Sequence, residues 1–176
     1  MSEYIKLAEA FKKLDAAKLL RQSVYFYGAT CYGKTGLIKQ YFKNQNYIYI
    51  PCGYDSCDLS LVPEDCSETV VIDNVNAIES EELRTNILSL LSRNKIWIII
   101  AGRSKMPSWL FESFIKRNMQ FISEEDLAPT VEVIDKFFRS QGIILTREEL
   151  VAHRKSSEGN FLGIKYTAQS FLRVRK

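Results

Sequence analysis

The spacing of apolar residues divides the chain into two parts. Up to about residue 123, short apolar runs alternate with segments in which apolar residues recur every three or four positions. Because the short runs are apolar throughout, they predict strands buried on both faces of a mostly parallel sheet. The five predicted strands span residues 23–28, 46–54, 69–75, 95–102 and 119–123.

Helical periodicity fills the segments between these runs. A first helix is predicted over about residues 4 to 20. Its apolar face consists of Tyr4, Leu7, Ala8, Phe11 and Leu14. Further stripes contain Leu37, Ile38, Tyr41 and Phe42, and then Leu83, Ile87, Leu90 and Leu91. Alternating strands and helices predict an α/β fold with the sheet between helical layers, over residues 1–123.

From residue 124 to 176 the pattern is helical only, which predicts a separate helical lid segment. Pro129 favours a helix start, and Gly142 favours its end. The buried face of this helix is predicted to contain Val131, Ile134, Phe137 and Phe138. Thr146 and Glu149 have the spacing of a capping box, which predicts the start of another helix. A last helix is predicted over residues 160–172.

Composition narrows the class of protein. The chain has 176 residues, 46% of them hydrophobic and 26% charged, with a net charge of +3, which is typical of a globular domain. No apolar run reaches the roughly 20 residues of a membrane span, and the charged N-terminal segment does not resemble a signal peptide. We therefore expect a cytoplasmic protein without membrane contact.

The four cysteines form no CxxC pair, and the single histidine, His153, is distant from them in sequence. This spacing argues against a zinc site. Four reduced thiols are expected.

The most specific motif lies between the first strand and the second helix. Residues 28–35 match G-x-x-x-x-G-K-[ST] in full. Glycines allow backbone N–H groups to surround an anion, and the following helix adds the positive end of its dipole. Lys34 can reach the β- and γ-phosphates of a nucleotide, and the Thr35 hydroxyl can ligate Mg²⁺. The predicted nucleotide-binding residues are Gly28, Ala29, Thr30, Cys31, Tyr32, Gly33, Lys34, Thr35 and Gly36.

An acidic residue follows the third predicted strand. Asp73 is placed to hold Mg²⁺ through water while Thr35 binds the metal directly, as a Walker B aspartate does. The alternative is that Asp73 only ends a strand. Asn74 comes next, and its amide can orient an attacking water but cannot take a proton from it. We therefore expect nucleotide binding with slow hydrolysis.

Arg103 ends the fourth predicted run. A cation at the tip of a strand beside the Walker B strand can contact a γ-phosphate. On spacing alone, an exposed arginine at a strand end is an equal alternative.

The motifs GATCYGKT, VVIDNV and IIIAGRSKMPSWL together resemble the ATPase core of STAND-class, AAA+-like P-loop proteins. The closest likeness is to the MalT-type, large LuxR-family transcriptional regulators. Arg103, Pro107 and the residues SWL match that family's fourth-strand region, and residues 126–164 resemble its helical segment. Gly159, Asn160 and Phe161 stand where the family more often has Gly-Trp.

The resemblance implies an ATP/ADP switch that uses Mg²⁺ and controls self-association or exposure of an output domain, with another copy or a partner protein as the possible partner. It also favours Arg103 as a γ-phosphate sensor. The family usually carries Asp-Asp where this chain has Asp73-Asn74, so weak ATPase activity is the most that is expected. The family's DNA-binding domain does not fit into 176 residues, so DNA contact is expected only through a domain absent from this chain.

Two other functions remain open. A small-molecule P-loop kinase would need a cationic lid, for which Lys116 and Arg117 are the only comparable cluster near the core. A nucleotide-bound interaction scaffold that never hydrolyses is supported by Asn74.

Overall fold

Five strands form the centre of the fold in a computed structural model that describes residues 8–54, 56–93 and 95–174. They are β1 (Val24–Tyr27), β2 (Tyr47–Pro51), β3 (Thr69–Asp73), β4 (Trp97–Gly102) and β5 (Gln120–Ile122). The helices are α1 (Ala8–Leu19), α2 (Lys34–Tyr41), α3 (Glu81–Ser92), α4 (Ser108–Lys116), α5 (Glu124–Leu127), α6 (Val131–Ser140), α7 (Arg147–Ser156) and α8 (Phe161–Val174). Each of the five predicted strands is present, so the predicted α/β fold with a five-stranded sheet is confirmed.

The strands form one sheet in the order β2-β3-β4-β1-β5. Every neighbouring pair is parallel, with Val24 beside Ile99 on one side and Gln120 on the other. Parallel strands bring all their carboxyl ends to one edge of the sheet, where loops that are distant in sequence meet. That edge is where ligands bind in open α/β sheets.

Both faces of the sheet are covered, as the continuous apolar runs predict. Along β1, Tyr25 belongs to one apolar cluster, whereas Val24 and Phe26 belong to the other. Successive strand side chains point to opposite faces, so this alternation separates two cores. Helices α3 and α4 cover the first face, and α1 and α2 cover the second.

The prediction for the first helix is confirmed at Leu14 and Phe11 and is wrong at Ala8. Tyr4 and Leu7 lie outside the described residues, Ala8 is exposed, and the fully buried positions are Ala10, Leu14 and Ala17. Leu14 is predicted, whereas Ala10 and Ala17 are not, because alanine contributes little to an apolar stripe. Two alanines on the contact face allow the helix axis to approach the sheet closely.

Helices α6 to α8 pack around an apolar cluster of their own, which includes Ile134, Phe138 and Ile164. Gly142 has a φ of +74°, and its left-handed backbone ends α6 as predicted. The Thr146 and Glu149 side chains cap α7 reciprocally, which confirms the predicted capping box. Among the described residues, no helix is both long enough and apolar enough to cross a membrane.

Candidate functional site

A cavity of about 430 Å³ opens at the carboxyl edge of the sheet. The loop after β1 forms one wall, and the ends of β2, β3 and β4 form the rest. The residues that line it are Thr30, Cys31, Gly33, Lys34, Thr35, Gly36, Tyr49, Pro51, Cys52, Asp73, Asn74, Gly102 and Arg103. Four separate stretches of the sequence therefore converge on one space.

The loop between β1 and α2 takes a shape suited to an anion. Cys31 and Gly33 both have a positive φ, of 74° and 81°. Left-handed residues within a loop turn successive N–H groups towards a common point. Gly33 also precedes the first residue of α2, whose first turn carries no acidic side chain. No carboxylate in the first turn of α2 therefore offsets the positive end of its dipole.

Lys34 crosses this loop. Its ammonium donates to the carbonyl oxygens of Gly28 and Ala29, the latter at 2.9 Å. An ammonium has three donors, so one remains for a ligand. Burial lowers the pKa of Lys34, and the negative charges of Asp73 and Glu124 oppose that effect. The residue is thus held as a fixed, partly desolvated cation at the floor of the loop.

Asp73 is the buried acid of the cavity. Its Oδ2 accepts hydrogen bonds from the Thr35 hydroxyl at 2.6 Å and the Tyr49 hydroxyl at 2.7 Å. The other carboxylate oxygen accepts none from the described residues. Burial and then the bond to Asp73 raise the pKa of Tyr49, so this hydroxyl stays protonated and remains a donor.

This donor set fits Mg²⁺. The metal prefers hard oxygen ligands and keeps several waters, so one hydroxyl, one carboxylate and substrate phosphates are sufficient. Thr35 and Asp73 supply the first two, within hydrogen-bonding distance of each other. Groups of three or more His, Cys, Asp or Glu side chains that could hold a metal are absent from the described part of the chain.

A hydrogen bond from its amide fixes the side chain of Asn74. The residue has a left-handed φ of 67°, which ends β3 two positions earlier than predicted. Its Nδ2 donates to the Cys52 carbonyl at 2.8 Å, and since a carbonyl can only accept, this contact fixes which end of the amide faces it. The buried Oδ1 has no hydrogen-bond partner among the described residues. Asn74 therefore lines the cavity, while its unpaired acceptor oxygen is buried.

Arg103 lies in the turn after β4, and Asn76 holds this turn. Asn76 accepts from the Arg103 backbone N–H at 2.6 Å and donates to the Ser104 hydroxyl at 2.7 Å. A Cβ on Gly102 would lie 2.3 Å from the same Asn76 side chain and 2.2 Å from the Tyr25 hydroxyl. The guanidinium of Arg103 is exposed and makes no hydrogen bond or ion pair with any described residue. The backbone is thus fixed while the side chain is available.

Glu124 is a functional candidate that the sequence did not reveal. Its Oε1 accepts from the Ala29 backbone N–H at 2.6 Å, which ties the start of α5 to the predicted phosphate-binding loop (the phosphate loop, residues 28–35). Its charge also contributes to the electrostatic environment of Lys34. No motif signals this residue, because the contact depends on β5 lying beside β1.

The helical segment also contacts the phosphate loop. The Tyr32 hydroxyl donates to the Glu158 carbonyl at 3.1 Å, and the Asn160 amide donates to the Thr30 carbonyl at 3.4 Å. Gly159, between these residues, has a φ of 73°, and a Cβ there would lie 2.7 Å from that of Ala128. The turn from α7 to α8 therefore lies against the loop.

The structure places most of the predicted site residues around one cavity. Lys34, Thr35, Asp73, Asn74 and Arg103 all line it. Three members of the predicted binding loop do not, namely Gly28, Ala29 and Tyr32. The first two use their backbones to hold Lys34, and Tyr32 turns towards the helical segment.

The expectation of four reduced thiols is wrong for one pair. Cys52 and Cys57 form a disulfide, with their Cα atoms 4.5 Å apart, whereas Cys31 and Cys66 are free. Spacing alone did not reveal the pair, because the chain turns back on itself between them. That turn closes with a hydrogen bond from the Gly53 N–H to the Ser56 carbonyl at 2.7 Å.

The basic cluster that a kinase would need lies away from this cavity. Lys116 and Arg117 line a different cavity, beside residues that precede β1 and β4. They therefore sit at the amino edge of the sheet, away from the phosphate loop.

No protein-family model and no curated protein sequence matches the chain. Solved structures do match. The Walker-type ATPase of Pyrococcus abyssi has a TM-score of 0.59 and 14% identity, over 94% of this chain and 68% of that one. The RuvB Holliday junction branch migration motor of Thermotoga maritima has a TM-score of 0.59 and 14% identity, over 93% and 59% of the two chains. For a RuvB mutant of the same organism the TM-score is 0.63 and the identity 14%, over 95% and 62%.

This chain thus spans 59% to 62% of those two RuvB chains. At such identities the likeness concerns the fold alone. The chain has the fold of the P-loop nucleoside triphosphatases.

Proposed function

We propose that the chain binds ATP and ADP with Mg²⁺ and acts as a regulatory switch with slow hydrolysis. The observation that carries the proposal is the convergence of Lys34, Thr35 and Asp73 on one cavity, with the Lys34 ammonium held across the loop. Lys34 would contact the β- and γ-phosphates, and Thr35 and Asp73 would hold the metal. Bound Mg²⁺ would neutralise phosphate charge.

Slow hydrolysis is proposed from Asn74. An amide cannot remove a proton from a water, and the Asn74 amide is held by its bond to the Cys52 carbonyl. Arg103, whose guanidinium is available, would contact the γ-phosphate and distinguish ATP from ADP. We propose turnover far below the roughly 10 s⁻¹ typical of enzymes.

The regulatory role is supported by the sequence resemblance to MalT-type regulators and by the contact between the α7–α8 turn and the phosphate loop. In this proposal nucleotide state alters that contact and thereby self-association or partner binding, in the cytoplasm. Sedimentation of the protein with ATP, with ADP and without nucleotide tests it. Identical sedimentation in all three states would contradict nucleotide control of self-association.

The first test of binding is calorimetric titration of ATP and ADP with Mg²⁺ into wild-type protein and Lys34→Ala. We expect binding to the wild type and its loss in the variant, because the loop loses its fixed cation. Lys43→Ala is a matched control, since Lys43 is exposed and lies just beyond α2. Absence of binding to the wild-type protein, or equal binding to Lys34→Ala, would overturn the proposal.

A non-hydrolysing scaffold is a second candidate, favoured by the bond that fixes the Asn74 amide to Cys52. An aspartate at this position would set a carboxylate against a carbonyl oxygen, so the structure favours the amide. Asn74→Asp separates the two candidates. Raised hydrolysis would indicate a switch that lacks only a base, whereas no hydrolysis in either protein would favour the scaffold.

A further inference from the structure

A second cavity lies at the edge of the sheet opposite the phosphate loop. Three arginines shortly precede neighbouring strands: Arg21 before β1, Arg93 before β4 and Arg117 before β5. The strand order places β4, β1 and β5 side by side. Parallel strands share their amino edge, so residues that are far apart in sequence are brought together there.

These three arginines line a cavity of about 520 Å³, together with Lys116. This volume is within the usual range for small-molecule sites, roughly 300 to 1,000 Å³. Apolar Leu88 and Ile96 also contribute to its wall. A concave site of this size encloses a compact ligand more fully than a flat surface does.

The chemistry of the lining is that of an anion site. The described lining residues include no carboxylate, and three serines, Ser23, Ser92 and Ser113, add hydroxyl groups to the four cations. The chain as a whole carries 24 basic and 21 acidic residues, so an acid-free group of four cations is a local concentration of charge. Guanidinium groups match phosphate oxygens in geometry as well as charge.

Two of the guanidinium groups are held in place by backbone carbonyls. Arg93 donates to Pro63 at 3.1 Å, and Arg117 donates to Ser92 at 2.9 Å. Such contacts fix the side chains before a ligand arrives, which reduces the entropy lost on binding. Lys116 forms an exposed ion pair with Glu112, so the three arginines are the main candidates for contact with an anion.

We propose that this cavity binds a compact ligand with several phosphate groups, independently of the nucleotide cavity. The lining holds no aromatic side chain among the described residues, which argues against stacking of single-stranded bases. Concave shape and clustered charge instead favour a small polyanion whose phosphates lie close together.

The probe is inorganic tripolyphosphate, titrated calorimetrically into the full chain carrying Lys34→Ala. This background removes the lysine of the phosphate loop, and variants of the arginines distinguish binding at the two cavities. We expect one bound tripolyphosphate, at least tenfold tighter than orthophosphate, with an affinity that falls as salt is added. No binding, or no preference for tripolyphosphate, would overturn the proposal.

Two double variants locate the site. Arg21→Gln with Arg93→Gln, and Arg21→Gln with Lys116→Gln, should each weaken tripolyphosphate binding at least tenfold. The second pair leaves both backbone-bound guanidinium groups intact, so its effect does not depend on their structural contacts. Circular dichroism and thermal melting of each variant show whether the fold is retained.

Lys136→Gln with Lys155→Gln is the matched control, since it removes the same charge from exposed positions on α6 and α7. Equal weakening in this control would reduce the effect to net charge and overturn the proposal. Displacement of tripolyphosphate by a 15-nucleotide oligothymidylate of higher affinity would also overturn it, in favour of a nucleic-acid surface.

Discussion

Two hydroxyl groups share one oxygen of Asp73, and this arrangement gives Tyr49 a defined role. If Thr35 turns its hydroxyl oxygen to a metal, Tyr49 is the remaining described side chain that donates to the carboxylate. Tyr49 would then orient Asp73 in the metal-bound state. Lys39 lies over its ring, with the ammonium 5.4 Å from the centroid, which helps hold the tyrosine in place.

We expect Tyr49→Phe to reduce Mg-dependent nucleotide affinity by roughly fivefold, since a net hydrogen bond contributes about 1 kcal/mol. Affinity measured in EDTA should change little, because the metal is then absent. Titrations with and without Mg²⁺ provide the measurement. Tyr47→Phe is the control, since the Tyr47 hydroxyl makes no hydrogen bond with a described residue, and a similar loss there would contradict the role of Tyr49.

The lowered pKa of Lys34 predicts the direction of a pH effect. In the proposed function the charged ammonium is the form that contacts phosphate, and burial makes it lose its proton at a lower pH than an ordinary lysine. The ordinary pKa of a lysine is 10.5. Nucleotide affinity should therefore already fall at pH values below 10.5.

Dissociation constants for ADP between pH 7.5 and 10.5 test this, in a Cys31→Ser background that removes the thiol of the same loop. Lys34→Arg keeps its charge throughout this range and should lose the alkaline decline. A decline that persists in Lys34→Arg would assign the effect to another group.

The predicted binding loop and Asp73 could be read from the sequence because each follows an apolar run at a fixed spacing. Tyr49 and Glu124 could not. Tyr49 reaches Asp73 only because β2 lies beside β3, with Pro51 opposite Asp73 in the register. Glu124 reaches Ala29 only because β5 lies beside β1. Strand order is set by packing of the whole sheet, which no local pattern encodes.

At the end of β4, the turn that carries Arg103 depends on the absence of one side chain. Gly102 lies against the buried Tyr25 hydroxyl and Asn76, within 2.3 Å of where its Cβ would be. Both neighbours have little room to move, because Tyr25 is fully buried and Asn76 holds the turn.

Gly102→Ala should lower the free energy of unfolding by about 1 to 3 kcal/mol, the usual cost of overpacking a core. Urea denaturation measures this loss. Gly163→Ala is the control within α8. Its Cβ would lie 3.2 Å from the Ser157 Cβ. Replacing glycine by alanine also raises helix propensity by up to about 1 kcal/mol. Equal stability of Gly102→Ala and wild type would show that the turn can shift.

The strands were predictable because they are apolar on both faces, and their ends were not. β2 ends at Pro51 and β3 at Asp73, both earlier than the runs of β-forming residues. In β3 the end is set by the left-handed backbone of Asn74, a conformation that asparagine tolerates well. Sequence patterns locate the interior of such elements better than their boundaries.

The described residues form two apolar cores on the sheet and a third in helices α6 to α8. The predicted boundary between the α/β core and the helical lid, at residues 123 and 124, stays a prediction. The packing of α5 indicates where the core ends. Leu127 is fully buried in the sheet's second cluster, and Asp126 pairs with Lys13 of α1 at 2.7 Å.

We expect a chain ending at Ala128 to fold as an α/β unit and one ending at Ser123 to be less stable by at least about 2 kcal/mol. Loss of the buried Leu127 side chain alone accounts for about 1.5 to 3 kcal/mol. Urea unfolding of the two truncated proteins provides the comparison. Equal stability would place the end of the core before α5.

The position of β1 in the sheet has a consequence for synthesis on the ribosome. Val24 is flanked by Ile99 and Gln120, so β1 gains its second neighbour only after residue 120 has been added. At typical rates of about 5 to 20 residues per second, this strand waits roughly 5 to 20 seconds after its own translation. The phosphate loop that follows β1 is thus encoded early and acquires its support late. Until then Tyr25 and Phe26, fully buried in the finished protein, lie on a strand with one edge unpaired.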